Sequence, residues 1–146
     1  MRTPGFTLLE VLVVIAIIAI CSSLLMIAMP GEAALADREA RRLAALVEAA
    51  TSEARASGQP IAWTAERTGY SFWQRSEDGE WQRFPDASPY RTRTLGGAIA
   101  IEGAAVTLMP YGLQPPFEAV IRSGGTQIIL RSGALGRVSL ERLHAS

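Results

Sequence analysis

Side-chain catalysis needs a nucleophile beside a base, carboxylates in contrasting environments, or a cluster of metal ligands, and few residues of this chain meet those terms. The single histidine, His144, stands two residues from the end, without a matched serine or cysteine partner. The single cysteine, Cys21, permits no internal disulfide and, with one histidine, leaves no Cys/His zinc cluster. Glu77, Asp78 and Glu80 gather around a turn signal, where carboxylates are ordinarily solvated. Ser123-Gly124-Gly125 lacks the spacing of a phosphate-cradling loop and reads as a turn. No catalytic residue, metal or cofactor is expected, and the chain is read as a non-enzyme.

Glu10 carries the chemistry that remains. It stands at the head of a run from Val11 to Met29, VLVVIAIIAICSSLLMIAM, about 19 residues without a charge. As a helix at about 1.5 Å per residue, that run nearly spans the hydrocarbon core of a bilayer. A carboxylate set deep and unpaired in such a helix costs about 2.5 to 3.5 kcal/mol, so Glu10 is expected to have a partner. Phe6 lies four residues before it, one helical turn away. An ordinary secretory signal has a shorter apolar stretch, although Ala34-Leu35-Ala36 offers a cleavage site of the right kind. A lipoprotein signal needs a small residue before its cysteine, and Ile20 precedes Cys21.

The segment Gly5-Phe6-Thr7-Leu8-Leu9-Glu10, followed by the unbroken apolar run, resembles the N-terminus of type IV pilins and of the pseudopilins of type II secretion. The resemblance implies a leader of residues 1–5, cleavage by a prepilin peptidase between Gly5 and Phe6, and N-methylation of Phe6. It also implies that Glu10 serves subunit assembly by pairing with the methylated amine of a neighbouring subunit or of its own chain. Residues 6–29 then form a membrane-spanning and assembly helix, single-pass in a bacterial inner membrane, with a cytoplasmic N-terminus and a periplasmic globular domain. Arg2 before the run is outnumbered by Arg38, Arg41 and Arg42 after it, so a simple count of positive charge points the other way. The leader motif is given more weight than the count.

The remaining chain must supply the globular part. Of its 146 residues 49% are hydrophobic and 19% charged, with 14 basic and 14 acidic side chains, a balance that excludes a broadly polybasic nucleic-acid surface. Nine of the ten aromatic residues lie between Trp63 and Phe117, which marks a core distinct from the apolar run. Pro30-Gly31 is expected to kink or melt the helix, and residues 30–57 continue as an amphipathic periplasmic helix. Its expected apolar stripe is Leu35, Leu43, Leu46, Val47, Ala50 and Ala54. Gly58 and Pro60 end it. If unbroken, a rod from Phe6 to Ser57 extends about 75 to 80 Å.

From Ile61 the hydrophobic period changes to two. A hairpin is predicted around Arg67-Thr68-Gly69, a turn at Asp78-Gly79 before Trp81 to Phe84, and a loop over Pro85 to Thr94. Short strands flank Gly103, a second hairpin turns at Ser123-Gly124-Gly125, and Val138 and Leu140 mark one last short strand. The expected class is α+β: a long N-terminal helix packed on a C-terminal antiparallel β-sandwich over residues 58–146, with six to eight strands.

That region is similar to the H-type minor pseudopilins and the related FimT/FimU-like minor pilins, through Gly58-Gln59-Pro60-Ile61, Pro115-Pro116-Phe117 and Leu135-Gly136-Arg137-Val138. The resemblance implies a minor pseudopilin helping to assemble a type II secretion pseudopilus near its tip. Its implied partners are the prepilin peptidase, other major and minor pseudopilins, the inner-membrane assembly platform and membrane lipid. The alternative is a type IV pilus minor pilin that binds DNA during uptake, with Arg122, Arg131, Arg137 and Arg142 as its phosphate-binding patch. Nucleic acid is not the expected partner, because Glu118 and Glu141 stand near those arginines.

Overall fold

The computed structural model describes residues 8–28 and 31–144, and the chain divides into two compact units, Met1–Gly31 and Glu32–Ser146. In the first unit a single helix, α1, runs over Leu8–Ala28. Ser22 and Ser23 turn their hydroxyls back onto the carbonyls of Ile18 and Ala19, at 2.8 and 2.9 Å, so these polar groups are satisfied within the helix. Among the described residues no helix is long and apolar enough to cross a membrane. The last residue of the expected span, Met29, and the expected break at Pro30 lie outside the described residues, while Gly31 is non-helical.

The second unit begins with α2, Glu32–Ser57. Its buried stripe is Ala36, Glu39, Ala40, Leu43, Ala44, Val47, Ala50, Thr51 and Ala54, the three-and-four spacing of one helix face. The expected Leu35 and Leu46 are only half-buried, and alanines take their place. Small side chains there let the helix axis approach the sheets closely. Gly58, at φ 70°, ends the helix in the left-handed conformation that a C-terminal cap requires.

Nine strands follow. Strands β1 (Ile61–Glu66), β2 (Gly69–Arg75), β3 (Trp81–Arg83) and β6 (Val106–Leu108) form one sheet in the order β3-β2-β1-β6, and β4 (Arg93–Thr94) also pairs with β2. Strands β5 (Ala100–Gly103), β7 (Phe117–Ser123), β8 (Thr126–Ser132) and β9 (Val138–His144) form the other, in the order β5-β7-β8-β9. Every pairing is antiparallel. The predicted hairpins form with the expected turns, from Ile61 opposite Gln74 to Glu66 opposite Gly69, and from Phe117 opposite Ser132 to Ser123 opposite Thr126.

Three features depart from the sequence reading, the first being nine strands among the described residues where six to eight were expected. The stretch Pro85 to Thr94 is not wholly loop, because Arg93 and Thr94 pair with Tyr70 and Gly69. This pairing depends on Gly69: a Cβ there would lie 2.1 Å from the Arg93 carbonyl oxygen. The short strands expected around Gly103 are present and join different sheets, β5 with β7 and β6 with β1, so the chain crosses from one sheet to the other at this point. The last strand spans seven residues, longer than expected.

The core lies where the two sheets and α2 meet. Trp63, Phe72, Leu43, Val47, Ile101 and Ile121 are fully buried, and the Trp63 and Phe117 rings, from opposite sheets, stand 5.3 Å apart. Strand β7 shows the clean period of two, with Phe117, Ala119, Ile121 and Ser123 buried and Glu118 and Arg122 exposed.

Candidate functional site

Of the residues assigned by sequence, Gly5 and Phe6 lie outside the described residues, and Glu10 occupies the first turn of α1. Beyond Glu10, α1 is apolar on every side: Leu12, Ile15, Ile17, Ile18 and Ile20 are each more than half exposed. An apolar helix exposed all round calls for a surrounding phase or a partner, since water disfavours that surface by about 25 cal/mol per Å².

The globular unit shows a different electrostatic design. Glu39, on the buried face of α2, is 5% exposed. Arg93 of β4 grips it with both arms, Nε to Oε1 at 2.6 Å and Nη2 to Oε2 at 2.9 Å. Tyr70 of β2 donates its hydroxyl to the same Oε1 at 2.8 Å. Burial pushes the Glu39 carboxyl up, but the bonds from Arg93 and Tyr70 and the charges of Arg93 and Arg42 together hold it below its ordinary value. The Tyr70 phenol is raised by burial and then by its bond to Glu39, so it stays a neutral donor. This carboxylate stitches α2 to the β2–β4 pair. Sequence reasoning passed over it because Glu39 looks like one more charge on an amphipathic helix.

Two further polar ties join α2 to β9: Glu48 Oε1 accepts the Val138 amide at 2.9 Å, and Arg142 donates to Asp37. Gln114 is another residue that the sequence did not flag. It is buried, and its amide closes the 109–114 loop by donating to the Met109 carbonyl at 2.7 Å and accepting the Met109 amide at 2.8 Å.

The arginines of the expected DNA patch are mostly committed to carboxylates. Arg122 pairs with Glu102 at 2.7 Å, Arg131 bridges Glu118 and Glu141 at 2.9 and 2.5 Å, and Arg142 pairs with Asp37. Charges neutralised in this way offer little to a phosphate backbone. Among the described residues no group of three or more His, Cys, Asp or Glu side chains is placed to hold a metal ion.

Residues 1–29 match the prokaryotic N-terminal methylation motif, and residues 39–136 match the type II transport protein GspH. The chain belongs to the GspH family of type II transport proteins. Solved structures agree on the fold. Two structures of the minor pseudopilin EpsH of the type 2 secretion system of Vibrio cholerae are similar to this chain. One, at 19% identity, covers 78% of this chain and 98% of its own, with a TM-score of 0.63. The other, at 15% identity, covers 80% and 100%, with a TM-score of 0.65. The solution structure of E. coli GspH, at 18% identity, covers 76% of this chain and 89% of its own, with a TM-score of 0.58. No curated protein sequence matches the chain. As a GspH-family member with the methylation motif, it is a minor pseudopilin of type II secretion, and the type IV pilus alternative is not favoured.

Proposed function

We propose that this minor pseudopilin is made with the leader 1–5, cut between Gly5 and Phe6 by a prepilin peptidase, and methylated on the new Phe6 amine. Residues 6–29 hold it in the inner membrane until assembly, with the N-terminus cytoplasmic and the sheets periplasmic. Inside the pseudopilus the same apolar surface packs against other pseudopilins, and Glu10 sets axial register by pairing with a methylated amine. The subunit stands near the tip, acts without enzymatic chemistry, and is fed into the fibre by the inner-membrane assembly platform.

The match of residues 1–29 to the methylation motif is the observation that carries this reading. Two others support it. The apolar side chains of α1 from Leu8 to Ile20 that stand exposed form a surface that lipid or other subunits would cover. Glu10 follows Phe6 by four residues in the sequence, and a pairing with an amine offsets the cost of placing its carboxylate among apolar groups.

The test is intact mass and N-terminal sequencing of the protein purified from its native membrane, with and without the prepilin peptidase. A chain beginning at N-methyl-Phe6 only when the peptidase is present is the expected result. A chain beginning at Met1 in both cases, or after Ala36, overturns it. For Glu10, the variant Glu10→Ala is expected to remain inserted and stable while secretion is lost.

A further inference from the structure

A cavity of about 100 Å³ lies between α2, β2 and the β3–β4 connection. Its walls include three arginines, Arg42, Arg91 and Arg93, together with Tyr70, Thr92 and Thr94, and no carboxylate lines it. Ligand pockets for whole organic molecules run from about 300 Å³ upward, so this space admits a single small group.

The charges around it do not balance. Arg93 is committed to Glu39 through both oxygens, and Tyr70 shares one of them. Glu39 thereby takes three charge-assisted bonds and neutralises one guanidinium. Arg42 and Arg91 form no ion pair among the described residues. The positive charge of Arg42 reaches Glu39 and Tyr70 across the cavity wall. Thr92 Oγ1 accepts a hydrogen bond from the Ser71 hydroxyl at 3.2 Å, which leaves its own O–H to donate. Two guanidiniums with no ion pair among the described residues and a hydroxyl donor line one small, partly enclosed space, the donor chemistry that an oxyanion accepts.

The geometry points to an oxyanion-binding site: a single carboxylate or phosphate group seated between Arg42 and Arg91, with the Thr92 hydroxyl as a further donor. Tyr70 and Arg93 line the cavity and are both bonded to the buried Glu39, which lies outside the lining and fixes the β4 backbone that carries the neighbouring threonines. The site is independent of the N-terminal processing reading, since it lies wholly within Glu32–Ser146. Two sources can supply such a group, a dissolved phosphate or an acidic side chain of an adjoining protein.

The test follows the arginine Nε–H resonances of the full chain in detergent micelles during separate titrations with inorganic phosphate and with acetate, at constant ionic strength held with chloride. Saturable shifts at Arg42 and Arg91 are expected. Phosphate binding the tighter of the two identifies a dissolved phosphate, and acetate binding at least as well identifies a carboxylate. Arg42→Ala and Arg91→Ala are each expected to weaken binding about tenfold, the loss of one hydrogen-bonded charge. Both side chains are exposed, so the unfolding midpoint is expected to stay unchanged, which separates lost binding from lost fold. Shifts that do not saturate, or an Arg91 shift that is unaltered by Arg42→Ala, overturn the assignment.

Discussion

Two helices of similar length, α1 and α2, solve opposite problems. Helix α1 is apolar in sequence on all sides beyond Glu10, and its Leu, Ile and Val residues from Leu8 to Ile20 are exposed. Helix α2 confines its apolar groups to one stripe, mostly alanine, and buries that stripe against both sheets. Burial of α2 is therefore completed within its own unit, whereas the proposed function gives the exposed apolar surface of α1 to lipid or to other subunits. That proposal needs such a division, because a helix that moves from membrane to fibre would exchange one apolar environment for another while the globular unit keeps its shape. The carboxylates differ in the same way: Glu39 finds its counter-charge in Arg93 of the same unit, and Glu10 is assigned to an amine at a chain start.

The contrast breaks most visibly with Leu43→Ala against Ile15→Ala. Leu43 is fully buried, so its truncation is expected to cost about 2 to 5 kcal/mol in denaturant unfolding of the globular unit. Ile15 is 61% exposed, and its truncation is expected to leave that transition where it is. Equal effects would mean that the two helices do not divide the work as described. Next in size is Arg93→Ala, expected to cost about 3 kcal/mol because it strands the buried Glu39 carboxylate, with the same transition as readout.

A smaller effect tests the alanine stripe. Ala40→Leu forces extra volume between α2 and the sheets and is expected to cost about 1 to 3 kcal/mol, while Ala45→Leu on the exposed face is expected to be nearly neutral. Thermal melts of the pair sharpen the argument that close helix approach, and not apolar character alone, selects alanine. The smallest effect is a slope. Because Glu39 titrates below its ordinary value of 4.5 in the fold, the unfolded chain takes up the proton first. Its contribution is thus fully present above that value and is lost as pH falls toward the lowered native one. Glu39→Gln is expected to flatten the acid limb of the stability–pH curve, and an unchanged limb would show that other carboxylates set it.

Much of the fold was legible locally. The switch from a period of three and four to a period of two at Ile61, and the turn residues of the two hairpins, are contained in short windows of chain. The N-terminal hexapeptide carried the family in the same way. What escaped the reading was non-local. Arg93 and Glu39 are 54 residues apart, and nothing near either one marks it for the other. Strand β4 has two residues and no period of its own, so it exists only because β2 offers an edge and Gly69 admits the close backbone.

The amino-acid sequence by itself determined the apolar N-terminal helix, the length and capped end of α2, the hairpin turns and the alternation of the long strands, because periodicity and turn chemistry act over a few residues. Only the tertiary structure decided that β5 and β6 part to opposite sheets, that Ala36, Ala40 and Ala44 are buried on the contact face while Leu35 and Leu46 are only half-buried, and that Glu39 is a buried tie. Those outcomes depend on which surfaces meet once the chain is folded, and burial and close approach arise between segments distant in sequence.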